Sequence, residues 1–336
     1  MGQLQISFRY AGREAAWGAI GISAYLTECF EAAAAFLTPE MRRAALSMQQ
    51  GEKCDAEEFR MRAGRPFSVV FPGGEQVLSK DGSVTARSPI TVASSDIVTA
   101  FELATQSSAH TAMESAKNGY VTVRGGHRVG ICGTAVVKDG EVVSIKKLSS
   151  MSIRIAKQIT GSGDEVLDRI ICRGAPSNTL IISPPGCGKT TLLRDIVRQL
   201  SDGTRNGGKG LRVSVADERG EIAALWNAAP QFDVGGRTDI LECCPKAKAV
   251  MILLRAMSPQ VIAVDEITAP EDLAAVETAA NCGVRLLATL HADSLDDLRS
   301  RPLSRRLVDM RLFQNAVLIS NRGGKRSYGV YPISDE

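Results

Sequence analysis

The sequence predicts an α/β chain, with a domain on a mainly parallel sheet preceded by a smaller α+β domain. Three observations predict it. Short runs rich in Ile, Val and Leu ("LIIS", "RVSVAD", "VIAVDE", "VRLLATLH") recur from about residue 165 onward, with helical stretches between them. Runs apolar on both faces and separated by helices are what a buried parallel sheet requires. Before residue 150 the pattern differs: helix-spaced apolar positions give way to alternating segments broken by glycine-rich turns. Finally, one apolar run feeds a glycine-rich loop that opens a helix, "TLIISPPGCGKTTLLRDIVRQL" at 179–200. The expected organisation is an N-terminal α+β domain over 1–150, a linker over 151–164 and an α/β domain over 165–336.

The elements of the first domain follow in order. Residues about 15–62 read as helix-rich, with no glycine between Gly21 and Gly51. "RPFSVVFPGGEQVLSKDG" alternates and turns at Pro72-Gly73-Gly74, which predicts a hairpin. "SSDIVTAFELATQSSAHTAMESAKNG" predicts a helical pair, the first capped by Ser94 or Ser95 and the second ended by Asn118-Gly119. "YVTVRGGHRVGICGTAVVKDGEVVSI" predicts strands separated by Gly-Gly and Asp-Gly turns. Within the second domain, 201–210 reads as a flexible polar loop.

Bulk properties narrow the function classes. The 336 residues are 44% hydrophobic and 23% charged, ordinary for a globular protein. A net charge of +3 is too weak to announce a nucleic-acid binder, and 5% aromatic residues leave little for base stacking. The eight cysteines form no C-x-x-C pair, which predicts reduced thiols and a cytoplasmic location. The apolar run "AWGAIGISAYLTECFEAAAAFL" carries Glu28 and Glu31 and lacks a basic leader, so it reads as a half-buried helix rather than an export or membrane segment.

The loop "SPPGCGKT" carries the chemistry. A phosphate cradle needs inward-pointing backbone N–H groups at the start of a helix, hence glycines. Ser183, Pro184, Pro185, Gly186, Cys187, Gly188, Lys189, Thr190 and Thr191 form the candidate cradle for ATP. Lys189 would reach the β- and γ-phosphates, and the Thr190 hydroxyl would bind Mg²⁺. The usual pattern opens on glycine, where Ser183 stands here. In "VIAVDEI", Asp265 and Glu266 fall at a strand's C-terminal tip, where ligands gather in parallel sheets. Asp265 would hold Mg²⁺ through water, and Glu266 would polarise the attacking water. Thr289 and His291 end another strand, where His291 is a candidate for sensing the γ-phosphate or positioning the water, before a turn with Asp293 or Ser294 as helix cap. Asp217, Glu218 and Arg219 follow a further strand, a place that makes Asp217 and Glu218 candidates for contact with the nucleotide. Arg237 and Arg255 are candidates for steadying transition-state charge, a role often filled from a neighbouring subunit.

Together these segments resemble the secretion ATPases of type II and type IV systems, a branch of the P-loop (RecA-like) ATPases. "SPPGCGKT" looks like their Walker A loop, "ADERGEI" their acidic box, "AVDEI" their Walker B strand and "ATLHADS" their histidine box. "LLRAMSPQVIAVDEI" places Arg255 at a matching arginine. Within that branch, "NGYVTVRGGHRVGICGTAV", "SIRIAKQI" and "DVGGRTDIL" with "CPKA" are similar to a stage III sporulation family of endospore-forming bacteria, over about residues 56–320. Ser183, and Ala269 after "DEIT", depart from the family pattern. The resemblance implies an ATPase using ATP and Mg²⁺ in a homo-oligomeric, hexameric ring, with no metal cluster. It also implies a membrane subunit of the same sporulation channel complex as partner, and a cytoplasmic place on the mother-cell side of that complex.

Two other readings stay open on the residues themselves. One is an ATPase acting on single-stranded nucleic acid, supported by Arg124, His127 and Arg128 and by the arginine-rich "LRSRPLSRRLVDMRL". The other is a nucleotide switch that scaffolds an assembly without hydrolysis, against which Glu266 argues.

Overall fold

The computed structural model describes residues 19–106, 119–172, 174–204, 209–322 and 325–333. Contacts divide the chain into two compact units. The first runs to Lys157 and takes in Ala224–Gln231; the second comprises Gln158–Ala223 and Phe232 onward. The dividing point lies inside the segment read as a linker.

The first unit begins with helices Ala19–Ala34, Pro39–Leu46 and Gln50–Asp55. An antiparallel sheet follows, made of β1 (Glu58–Arg62), β2 (Ser68–Phe71), β3 (Gly74–Val77), β4 (Tyr120–Thr122), β5 (Arg128–Lys138) and β6 (Glu141–Arg154), in the order β3-β2-β1-β6-β5-β4. The helix-rich reading to residue 62 is corrected here. Residues 58–62, "EFRMR", form β1, because Phe59 and Met61 alternate with arginines and both are fully buried. β6 likewise runs on to Arg154, since Met151 and Ile153 continue the same inward alternation. The hairpin at Pro72-Gly73 and the Asp139-Gly140 turn stand where the sequence put them. Helix Ser94–Thr105 covers the sheet, its entry closed by Asp96 accepting from Ala93 N rather than by a serine hydroxyl. The expected second helix of that pair lies outside the described residues. Phe30, Phe59 and Phe67 centre the core, with Phe30 edge-on to Phe59 at 5.1 Å and Phe59 stacked on Phe67 at 6.0 Å.

His127 belongs to this core rather than to a phosphate-binding surface. It is 1% exposed, its Nδ1 accepts from Ala156 N at 3.0 Å, and Phe36 meets it edge-on. The nearby Arg128 lies over the Tyr120 ring at 4.3 Å. Burial pushes the imidazole down from 6.5 to about 4. The unfolded chain takes up this proton near 6.5, whereas the folded chain refuses it until about 4, so stability is lost as pH falls across that window. The expected loss is about 3 kcal/mol between pH 7 and 4 from this group alone. Denaturant unfolding at a series of pH values checks it. His127→Gln should flatten the slope, and equal slopes in the two proteins would sink the account.

In the second unit, helix Asp164–Ile170 and a two-residue ladder, β7 (Ile171–Cys172) with β8 (Ala175–Pro176), precede the main sheet. Its strands are β9 (Thr179–Ser183), β10 (Val213–Asp217), β13 (Thr238–Glu242), β14 (Val261–Val264), β15 (Arg285–His291), β16 (Asn315–Arg322) and β17 (Lys325–Pro332). Between β10 and β13 the chain makes the short ladder β11 (Leu225–Trp226) with β12 (Ala229–Pro230), the excursion that joins the first unit. The sheet order is β13-β10-β14-β15-β9-β16-β17, parallel except for the final β16–β17 pair. β9, β10 and β14 are buried at every position, as their unbroken apolar runs require. Helices Lys189–Asp202, Lys246–Ala256 and Pro270–Asn281 pack on the sheet. Three strands go beyond the sequence reading. β13 occupies "TDILE", an edge strand half-buried throughout and so lacking an apolar signature, and β16–β17 extend the far side.

Candidate nucleotide site

Four neighbouring strands bring their C-terminal ends to one edge. In spatial order β10, β14, β15 and β9 end at Asp217, Val264, His291 and Ser183. The motifs scattered through the second half of the sequence therefore meet by strand pairing alone, as ligand sites do in open α/β sheets.

The loop read as a phosphate cradle runs from Ser183 to the helix starting at Lys189. Gly186 and Gly188 hold φ of +74° and +97°, a region a side chain rarely adopts, so both glycines are required. Ser183 is different. It is not among the residues with positive φ; it is fully buried, and its hydroxyl donates to Pro184 O at 2.8 Å. The departure from glycine thus carries no left-handed strain.

Lys189 Nζ donates to Ser183 O at 3.1 Å and lies 2.8 Å from His291 Nδ1. The pairing of β15 with β9 sets His291 opposite Ser183, which explains how a residue so distant in sequence reaches the lysine. A lysine ammonium has donors only, so Nδ1 accepts and the neutral ring carries its proton on Nε2. That nitrogen stands 3.3 Å from Glu266 Oε1. A polar chain thus leads from the loop lysine through His291 to the acid. Burial depresses the Lys189 pKa, and the charges of Asp265 and Glu266 oppose the shift.

Asp265 is held by two hydroxyls: Thr190 donates to Oδ2 at 2.9 Å and Thr289 to Oδ1 at 2.7 Å. Desolvation raises its pKa, and the two hydroxyl bonds only partly offset this. Glu266 has φ +55°, costly for a residue with a side chain, and Thr289 fixes it by accepting from Glu266 N at 2.7 Å. Arg219 Nη1 donates to Glu266 Oε2 at 3.0 Å. The donor set suits a small oxygen-loving cation: a threonine hydroxyl and one carboxylate side by side, the carboxylate carrying no cationic hydrogen-bond partner among the described residues. Among the described residues no three His, Cys, Asp or Glu side chains stand in a metal-binding group.

The acidic box divides in two. Asp217 is 1% exposed and spends both oxygens on Glu221 N, Ile222 N and Ala223 N, which fold the following turn. Its carboxylate thus shapes the site's wall, where the sequence suggested contact with nucleotide. Glu218 faces the cleft, paired with Lys246, which also lies 3.4 Å from the Thr268 hydroxyl. Lys246 was not legible as a site residue, because only the docking of helix Lys246–Ala256 beside β10 brings it there.

The two arginines are not gathered into this cluster. Arg237 donates from Nη1 to Ser201 O at 3.1 Å, at the far end of the helix that starts at Lys189. That helix is 14 residues long, about 20 Å from end to end at its rise per residue. Arg255 is exposed near the end of its helix. Of the two cap candidates after His291, Ser294 is the cap, accepting from Asp297 N.

Comparison with known proteins adds identity to this geometry. A family model described as "Sporulation stage III, protein AA" matches residues 31–334. Stage III sporulation protein AA of Bacillus subtilis (strain 168) is 37% identical over 287 residues, covering 85% of this chain and 90% of that relative. Among solved structures, the Legionella pneumophila ATPase DotB aligns with a TM-score of 0.54 at 16% identity, over 84% of this chain and 77% of its own. The pilus retraction motor PilT, solved with bound ADP, gives 0.51 at 18% identity, over 82% and 78%. At such identities the likeness is one of fold, and the fold is the expected P-loop α/β domain with a smaller domain before it. No helix among the described residues is long and apolar enough to cross a membrane. By the extent of the family match and the identity to the Bacillus protein, the chain belongs to the stage III sporulation protein AA family.

Proposed function

We propose that the chain is the Mg²⁺-dependent ATPase subunit of a hexameric ring that energises or assembles the mother cell–forespore channel during sporulation. One observation carries this reading: the continuous link Lys189–His291–Glu266 beside the Thr190–Asp265 pair. The relative's name supplies the sporulation context, and the titles of the fold neighbours, an ATPase and a motor with bound ADP, support nucleotide use. The cellular place we propose is the mother-cell cytoplasm, against a membrane subunit of the complex.

Each residue then has a task. Backbone N–H groups from Gly186 to Thr191 cradle the phosphates, and Lys189 exchanges His291 and the Ser183 carbonyl for phosphate oxygens. His291, released from the lysine, has Nδ1 free on the loop side while Nε2 stays against Glu266, which couples the acid's orientation to the filled loop. Bound Mg²⁺ would neutralise charge on the β- and γ-phosphates, and Thr190 and Asp265 are the groups that would hold it. Glu266 orients a water for in-line attack: the new O–P bond forms, the bond to the ADP oxygen breaks, and the water's proton passes to the carboxylate. Arg255 and Arg237, held away from their own site, are proposed to serve a neighbour's.

The test is ATP turnover per subunit over a range of protein concentrations. A rate that rises with concentration is expected of sites completed by neighbours. ADP binding with turnover no higher than that of Glu266→Gln at every concentration would sink the motor reading in favour of a switch.

A further inference from the structure

The β16–β17 hairpin brings to the phosphate loop an arginine that lies outside every motif above. β16 runs parallel to β9 with Leu318 opposite Ile182, so its last residues pass the point where β9 gives way to the loop. β17 returns antiparallel, and its Arg326 sits opposite Asn321, at that same edge. The contact is close. A Cβ built on Gly188 would lie 3.3 Å from Arg326 Cζ, 3.4 Å from Nε and 3.5 Å from Nη1. The guanidinium therefore rests against the backbone of the glycine immediately before Lys189. It is exposed, and among the described residues no carboxylate forms an ion pair with it. A cation set against phosphate-cradling N–H groups without a protein counter-ion is matched by an anion that occupies the loop.

We propose that Arg326 is a nucleotide-binding residue acting within its own subunit, its guanidinium taking an oxygen of the diphosphate portion of the bound nucleotide. The inference rests on the nucleotide reading above and adds a residue to it. The diphosphate rather than the γ-phosphate is assigned because Glu266 and His291 flank the γ end, whereas the loop backbone around Gly188 cradles the earlier phosphates. An arginine there binds ADP and ATP alike. It acts on affinity and leaves the chemical step alone.

The experiment uses the full chain. Wild type, Arg326→Ala, Arg326→Lys and Lys189→Ala are titrated calorimetrically with Mg-ADP and Mg-ATP, and turnover is followed against ATP concentration. Arg326→Ala should weaken both nucleotides by about tenfold, in keeping with one charge-assisted contact, and raise KM with kcat within about twofold. Arg326→Lys should recover part of the affinity. Unchanged ADP affinity in Arg326→Ala would overturn the proposal, as would a fall in kcat with ADP affinity intact, which would put the arginine at the reacting phosphate. The melting temperature of the nucleotide-free proteins separates lost binding from lost fold. If Arg326→Ala melts early, Arg326→Lys decides: affinity equal to that of the alanine variant overturns the proposal, and partial recovery supports it. Wild type that binds no ADP would defeat the nucleotide reading itself, an outcome distinct from a failure confined to the Arg326 variants.

Discussion

Glu266→Gln is expected to bind ATP nearly as well as wild type and to turn it over at least about a hundredfold more slowly. The substitution keeps size and hydrogen-bonding shape, so the backbone geometry survives: Thr289 still accepts from residue 266 N and holds the φ of +55°. What disappears is the charge that can receive a proton from water. Lys189, Thr190 and the loop glycines, which would hold the phosphates, are untouched. Arg219 and His291 lose an anionic partner at 3.0 and 3.3 Å, but both are side chains at the cleft edge with room to turn. Strain at Glu266 supports this reading. A left-handed non-glycine residue costs about 1–3 kcal/mol and persists where surrounding contacts over-determine it, commonly at a site of function. Rapid-mixing turnover beside equilibrium ATP titration gives the answer. Turnover near the wild-type rate would remove Glu266 from the chemistry, and lost ATP binding would make it a structural residue.

The parts of this site legible in the sequence share one physical trait: each lies within a few residues of an apolar run. Asp265, Glu266 and His291 announce themselves because a buried strand must end somewhere, and polar residues at its tip stand out against the run. The loop glycines announce themselves by their backbone demands. Arg326 and Lys246 do neither. Their positions depend on which strand or helix packs beside which, through pairs separated by well over a hundred residues for Arg326 and Gly188. The same limit explains β13, whose half-buried edge position leaves no hydrophobic alternation, and β1, whose arginines resemble a helix face until Phe59 and Met61 are seen sharing one side. His127 shows the converse error. A histidine among arginines reads as a phosphate ligand, yet the strand pairing turns it inward, where burial keeps it neutral.

Asp265→Asn should separate stability from function by moving them in opposite directions. The Asp265 carboxylate is buried, its pKa is raised by desolvation, and two threonine hydroxyls are its hydrogen-bond partners. Because the folded value lies above the ordinary 3.8, the folded chain holds this proton more tightly than the unfolded chain. Ionised Asp265 therefore destabilises the nucleotide-free protein at neutral pH, and that cost fades as pH falls through the folded value toward 3.8. An asparagine carries no charge to desolvate, and the hydroxyls of Thr190 and Thr289 can rotate to meet its amide. The expected gain is about 1–2 kcal/mol at pH 7, a rise of roughly 1–3 °C in melting temperature for a chain of this length, shrinking on acidification. Turnover should fall by more than about a hundredfold, since the buried carboxylate proposed to hold Mg²⁺ is gone. A charged residue kept at a stability cost is what a cation-binding role demands, because the bound ion offsets that cost when the site is filled. Melting curves of both nucleotide-free proteins from pH 5 to 8, with activity measured beside them, decide the matter. A variant that melts lower than wild type at every pH would mean the two hydroxyl bonds outweigh the buried charge. A variant that keeps its activity would take Asp265 out of the cation site.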